Sequence, residues 1–150
     1  MTKSQEFSPK LYRDIYRRVP RFCVDVVIRS SRGVLLSRRS IRPYVGWWHF
    51  PGGRVRLKER LARAIKRICR EELGLSVKVL KLAGVIEYLR EPTVRGLTIH
   101  SVSAVFIVKP SGGALRGSWQ AEAVAFFKSP PRRTIPAVKK FLLAHGFVKG

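Results

Sequence analysis

The sequence predicts an α/β domain, with an order of elements compatible with a mixed β-sheet between helices. Three observations lead there. Apolar residues make up 45% of the 150 residues, the share of a globular chain with room for a real core. Runs rich in β-branched residues recur on both sides of one helical segment, in the order βββ–α–ββ–β–α. The central segment, residues 60–73, places Leu61, Ala64, Ile65 and Ile68 on one face at about 100° per residue.

Each element follows from local chemistry. Ser8 followed by Pro9 starts a helix, with a capping hydroxyl and a Pro at the first helical position; Val19-Pro20 ends it. Residues 21–29 read as a strand, Ser30-Ser31-Arg32-Gly33 as a turn and 34–39 as the returning strand. Residues 47–50 form a short strand, and Pro51 leads into a Gly52-Gly53 turn before the central helix. Residues 77–90 form a strand bent or bulged near Gly84, 97–109 a long strand, 110–117 a Gly/Ser-rich loop and 121–127 the last strand. Residues 134–145 close the chain as a helix, with Thr134 as N-cap and Gly146 as its stop. The expected organisation is an N-terminal helical extension over 1–20 and one domain over 21–150.

Composition restricts the function. There is no apolar run near the roughly 20 residues needed to cross a bilayer, and the basic N-terminal stretch has no apolar signal core, which predicts a cytoplasmic protein without a membrane partner. Cys23 and Cys69 have no metal-binding spacing and read as buried free thiols. The 31 Lys+Arg against 9 Asp+Glu give a formal charge of +22, a field that attracts phosphates and makes nucleic acid a candidate partner. Against that scarcity of acids, adjacent Glu71 and Glu72 are conspicuous. Counted as an ideal α-helix, Glu72 falls about 20° from Leu61, on the apolar stripe, where a carboxylate is costly unless paired or bound to metal. Asp25 is the odd residue of its apolar strand, either an ion-paired position or a carboxylate lining a cleft. Arg39 and Arg42 suit phosphate recognition, and Trp48 offers a stacking surface. His100 is a strand histidine that either points into a site or is structural.

The stretch from Gly53 resembles the Nudix box: Gly53, Glu59, Arg67, Glu71, Glu72, Gly74 and Leu75 stand at its spacing, and the approach Gly46-Trp47-Trp48-His49-Phe50-Pro51-Gly52 is similar to the strand preceding it. The resemblance spans most of the chain, from about Cys23 to Phe127. It implies an α/β/α sandwich and a Nudix hydrolase that uses Mg²⁺, or Mn²⁺ in its place, on a nucleoside diphosphate linked to another moiety. It implies Glu71 and Glu72 as metal-ligating and catalytic carboxylates, the Gly52 carbonyl as a further ligand, and an Arg67–Glu59 pair pinning loop to helix. Ile68 departs, standing where the family usually has a Glu that binds metal.

Segments 24–28, 32–43 and 46–55 and the helix further resemble the GDP-mannose mannosyl hydrolase branch, which also lacks that Glu. Carried over by position, this implicates Asp25 in sugar contact, Arg39 and Arg54 in phosphate binding and Gln120 as a downstream metal ligand. The base that the branch places after this Gln is Ala121 here, leaving Glu122 as a candidate base or ligand. Three readings result: a sugar-nucleotide hydrolase, a Nudix-fold module binding RNA or nucleotides without turnover, and a nucleoside triphosphate pyrophosphatase. The N-terminal helix offers a homodimer contact.

Overall fold

The computed structural model describes residues 7–40, 44–92, 97–117 and 121–150. Helix α1, Pro9–Tyr16, starts as its sequence predicts, with Ser8 Oγ accepting from the Leu11 amide at 3.2 Å. Strands β1 (Arg21–Val27), β2 (Arg29–Ser30), β3 (Gly33–Arg39), β4 (Trp48–His49) and β5 (Gly52–Arg54) precede helix α2, Leu61–Ile68. Strands β6 (Leu75–Pro92), β7 (Thr98–Gly113) and β8 (Ala121–Phe127) and helix α3, Pro136–Ala144, complete the fold.

One sheet has the order β5-β1-β7-β6. It is mixed: β1 runs parallel to β7, whereas β1–β5 and β6–β7 are antiparallel. In the second sheet β3 pairs with β2, β4 and β8. Alternation along β1 divides the core. Val24 and Val26 pack with Ala64, Ile65, Ile68 and Leu73 from the α2 side. Val27 joins Phe50, Val105, Val138, Phe141 and Leu142 on the α3 side. This is the helix–sheet–helix layering expected of the sequence.

Four local readings are corrected. The predicted helix over 60–73 is α-helical only to Ile68; Cys69–Leu73 form a π-helical turn, with i→i+5 spacing, closed by Gly74 at φ +70°. A straight 100° count therefore fails for Glu71 and Glu72. The Gly52-Gly53 turn is strand β5, because it finds a partner in β1 despite poor intrinsic strand propensity. The loop expected at 110–117 begins later, since β7 continues to Gly113 opposite Leu75. Thr134 does not cap α3: its hydroxyl donates to the Pro131 carbonyl at 2.7 Å, and the helix begins at Pro136. The expected irregularity near Gly84 is present as a register shift between Leu82 and Gly84.

Candidate active site

β1 carries Arg21, Cys23 and Asp25 to one side of the mixed sheet, into a cavity of about 150 Å³ that Arg39, His49, Gly52, Tyr88, Glu91 and Ser103 also line. Asp25 is 8% exposed. Its Oδ2 accepts from the Tyr88 hydroxyl at 3.1 Å. Burial pushes the Asp25 carboxyl up to about 7, with Glu91 adding to the effect and the Ser103 and Tyr88 hydroxyls and Arg21 opposing it. Burial and the Asp25 charge raise the Tyr88 phenol, keeping it a donor. Asp25 also stands opposite Gly52 in the β1–β5 register, and a Cβ on Gly52 would fall on Asp25 Oδ1 and 2.5 Å from the Val24 carbonyl oxygen. Only glycine lets these two strands meet at the buried carboxylate. At the cavity's rim Arg21 donates to Ser101 Oγ (3.1 Å), the Tyr12 hydroxyl (3.0 Å) and Glu91 (3.3 Å), tying α1 to the sheet.

His49 was not among the residues singled out from the sequence. Its Nδ1 lies 2.6 Å from the Phe50 carbonyl oxygen. Burial first, then the Arg39 guanidinium, pushes the imidazole down to about 4 from its ordinary 6.5, against the Phe50 hydrogen bond. The pH consequences of His49 and Asp25 oppose one another. His49 binds its proton near 6.5 when unfolded and near 4 when folded, so it contributes stability that is present above 6.5 and lost as pH falls toward 4. Asp25 binds its proton near 7 when folded and near 3.8 when unfolded, so its burial is costly above 7 and that cost shrinks as pH falls toward 3.8. Asp25→Asn is therefore expected to lose more stability than wild type between pH 7 and 4.5, by on the order of 2 kcal/mol. Thermal unfolding in chelator at both pH values checks this; parallel curves for the two proteins would refute it.

The box forms a clamp. Arg67 Nε donates to Glu59 Oε2 at 2.8 Å and Nη2 to Glu59 Oε1 at 2.9 Å, while Nη2 also reaches the Arg54 carbonyl at 3.0 Å. Glu59 Oε1 further accepts from the Arg56 amide at 3.1 Å. The Arg67 hydrogen bonds hold the Glu59 carboxyl below its ordinary range, and the pair pins residues 54–59 to α2. Arg67→Ala would leave a mostly buried carboxylate without its partner and is expected to cost about 2–3 kcal/mol. A fall in the urea midpoint with unchanged slope would register this; an unchanged midpoint would contradict it.

Glu71 lies 3.5 Å from Arg67 and 3.9 Å from Arg56, with its side chain 40% exposed, so both contacts are loose. Glu72 is partly buried, and its charge is felt by Arg39, whose guanidinium burial otherwise lowers. Ile68, only 2% exposed, is a core residue 3.4 Å from where a Cβ on Gly53 would lie. It contributes packing and no oxygen donor.

Several expected residues lie elsewhere. Trp48 is not in the cavity: it packs edge-on against Phe127 at 4.7 Å and beneath Arg38, since strand alternation sends it opposite to His49. His100 alternates with Ser101 and Ser103 along β7 and does not line the cavity; its buried Nε2 has no hydrogen-bond partner among the described residues. Arg54 lies under the Phe7 ring at 4.6 Å. Arg42 and Gln120 lie outside the described residues, and Glu122 is described only as part of β8. Among the described residues no three His, Cys, Asp or Glu side chains cluster to hold a metal. Cys23 and Cys69 are buried free thiols as expected. Among the described residues, no helix is long and apolar enough to cross a membrane.

The NUDIX domain matches residues 19–131. The chain belongs to the Nudix hydrolase family. This Nudix hydrolase is similar to the low-salt glycan biosynthesis protein Agl8 of Haloferax volcanii, at 33% identity over 130 residues, covering 85% of this chain and 83% of that protein. It is also similar to an ADP-ribose pyrophosphatase of Methanocaldococcus jannaschii, at 37% identity over 109 residues, covering 72% of this chain and 62% of that protein. Among solved structures, a MutT NUDIX hydrolase from Burkholderia pseudomallei superposes with a TM-score of 0.73 at 27% identity, covering 87% of this chain and 99% of that one. The family reading made from the box is thereby established, and with it a hydrolase of this family.

Proposed function

We propose that this Nudix hydrolase is Mg²⁺-dependent and cleaves a nucleoside diphosphate linked to a sugar, as in the GDP-mannose mannosyl hydrolase branch. The observation that carries this reading is the cavity itself, where the Arg39 cation borders the buried Asp25–Tyr88 pair. A guanidinium suits a diphosphate, and a carboxyl beside a phenol suits the hydroxyls of a sugar. The likeness to a glycan biosynthesis protein supports the same substrate class.

The donor set fits a hard cation. Glu71 and Glu72 offer carboxylates and Gly52 a carbonyl, with Gln120 as a further oxygen, and Mg²⁺ keeps several waters where the protein supplies few ligands. When bound, Mg²⁺ supplies Lewis-acid neutralisation of the diphosphate charge. The chain's own part is to position: the Glu59–Arg67 clamp fixes the loop that follows Arg54, Arg39 attracts the phosphates and Asp25 receives a sugar hydroxyl.

The test is hydrolysis of GDP-mannose, other sugar nucleotides, ADP-ribose and nucleoside triphosphates with Mg²⁺, Mn²⁺ or chelator. Metal-dependent turnover led by sugar nucleotides is expected. Release of sugar plus nucleoside diphosphate would mark attack at carbon; release of sugar phosphate plus nucleoside monophosphate would mark attack at phosphorus. Turnover of triphosphates alone would overturn the reading.

A further inference from the structure

We infer that His49 is a specificity-determining residue that accepts a hydrogen bond from a hydroxyl of the group beyond the diphosphate and disfavours a further phosphate there. The inference rests on the sugar-nucleotide reading and deepens it.

The argument begins with position. In strand β4, His49 pairs with Ser37 and Trp48 with Arg38. Trp48 turns toward Phe127, so the alternation of β4 sends His49 to the other face, into the cavity with Arg39, Asp25 and Gly52. The tautomer follows from the neighbour. A carbonyl oxygen only accepts, so the 2.6 Å contact to the Phe50 oxygen requires the proton on Nδ1. With the Arg39 cation beside it and the ring removed from water, His49 stays neutral. Nε2 therefore presents a lone pair.

Two roles for such a nitrogen can be compared. As a general base, it would need an affinity for protons matched to neutral pH, and an imidazole pushed down to about 4 is a poor one. As a hydrogen-bond acceptor it works unchanged across the neutral range. An acceptor needs a donor: a hydroxyl supplies one, and a phosphate oxygen brings only more lone pairs. Asp25 lines the same cavity and likewise disfavours an anion when ionised. Arg39 thus suits phosphate, and the acceptors His49 and Asp25 suit the hydroxyls of a polyol. Sites that hydrogen-bond a substrate hydroxyl discriminate strongly against ligands that lack it, because their buried polar atoms are then left unpaired.

The experiment compares kcat/KM for GDP-mannose and for GTP, with Mg²⁺, in wild type, His49→Leu and His49→Gln. His49→Leu is expected to lower kcat/KM for GDP-mannose by about 10-fold or more and to change that for GTP by less than about threefold. His49→Gln, which keeps an acceptor, is expected to recover part of the loss on GDP-mannose. Equal losses on both substrates, or no loss on either, would overturn the inference while leaving the sugar-nucleotide reading standing. Wild-type turnover of GTP without turnover of any sugar nucleotide would overturn both. Nitrogen-15 spectra of the histidine ring give a readout independent of turnover: a neutral ring protonated at Nδ1 at pH 7 supports the assignment, and a proton on Nε2 refutes it.

Discussion

Glu72→Gln is expected to lower kcat by about 10²–10⁴-fold at saturating Mg²⁺, the range in which a group acting on charge or a proton in the transition state is lost. The substitution keeps shape and one carbonyl oxygen but removes the negative charge. In the proposed site that charge holds the metal and, with Glu91, balances Arg39. Glu72 is only partly buried, and it follows a helix whose core contacts come from Ala64, Ile65 and Ile68. Folding is therefore expected to survive, with a melting temperature within about 5 °C of wild type. The measurement is kcat against Mg²⁺ concentration together with thermal unfolding. Turnover within about threefold of wild type would remove Glu72 from the catalytic assignment.

Gly52→Ala is expected to destabilise the protein by about 3–5 kcal/mol, the scale of an overpacked core joined to a disturbed buried polar group. The new methyl would meet Asp25 Oδ1 and the Val24 carbonyl oxygen. Neither is the free end of a flexible side chain: one is a buried carboxylate held by Tyr88, the other is the backbone of a central strand. Relief would require β5 to part from β1, moving the Gly52 carbonyl and the box loop with it. The adjacent Gly53→Ala provides the control, because its methyl would lie 3.4 Å from Ile68 Cδ1, at ordinary contact. Equal urea midpoints for the two variants would contradict this account.

The parts of the fold that sequence revealed were those governed by nearest neighbours. Ser8-Pro9 set the start of α1 because capping is local, and the apolar stripe from Leu61 to Ile68 set the buried face of α2. Asp25 was visible as a carboxylate in an apolar strand. Its partner Tyr88, 63 positions away, was not visible, because only the β1–β7–β6 arrangement brings the two together. The strand at Gly52–Arg54 was hidden for a related reason: two glycines have no intrinsic preference for extension, and β1 supplies it. His49 had an available signal, its alternation with Trp48, but a two-residue strand gives too short a pattern to assign faces. Thr134 misled because a hydroxyl two residues before a Pro resembles a cap, whereas the Pro131 carbonyl competes for it. The π-helical turn has no sequence signature of its own, and it is why the ideal-helix angle of Glu72 could not be taken from counting.

That turn also bears on attempts to transplant or redesign the segment. The first part of the segment, α2, keeps the regular spacing the core requires; the wide turn at Cys69–Leu73 absorbs one additional residue before the chain re-enters the sheet at Leu75. Grafted onto a regular helical scaffold, the same letters would point Glu71 and Glu72 in other directions. Removing the exposed Arg70 would take out that additional residue and favour an uninterrupted helix, so that the chain still re-enters the sheet at Leu75 while Glu71 and Glu72 sit on a regular turn.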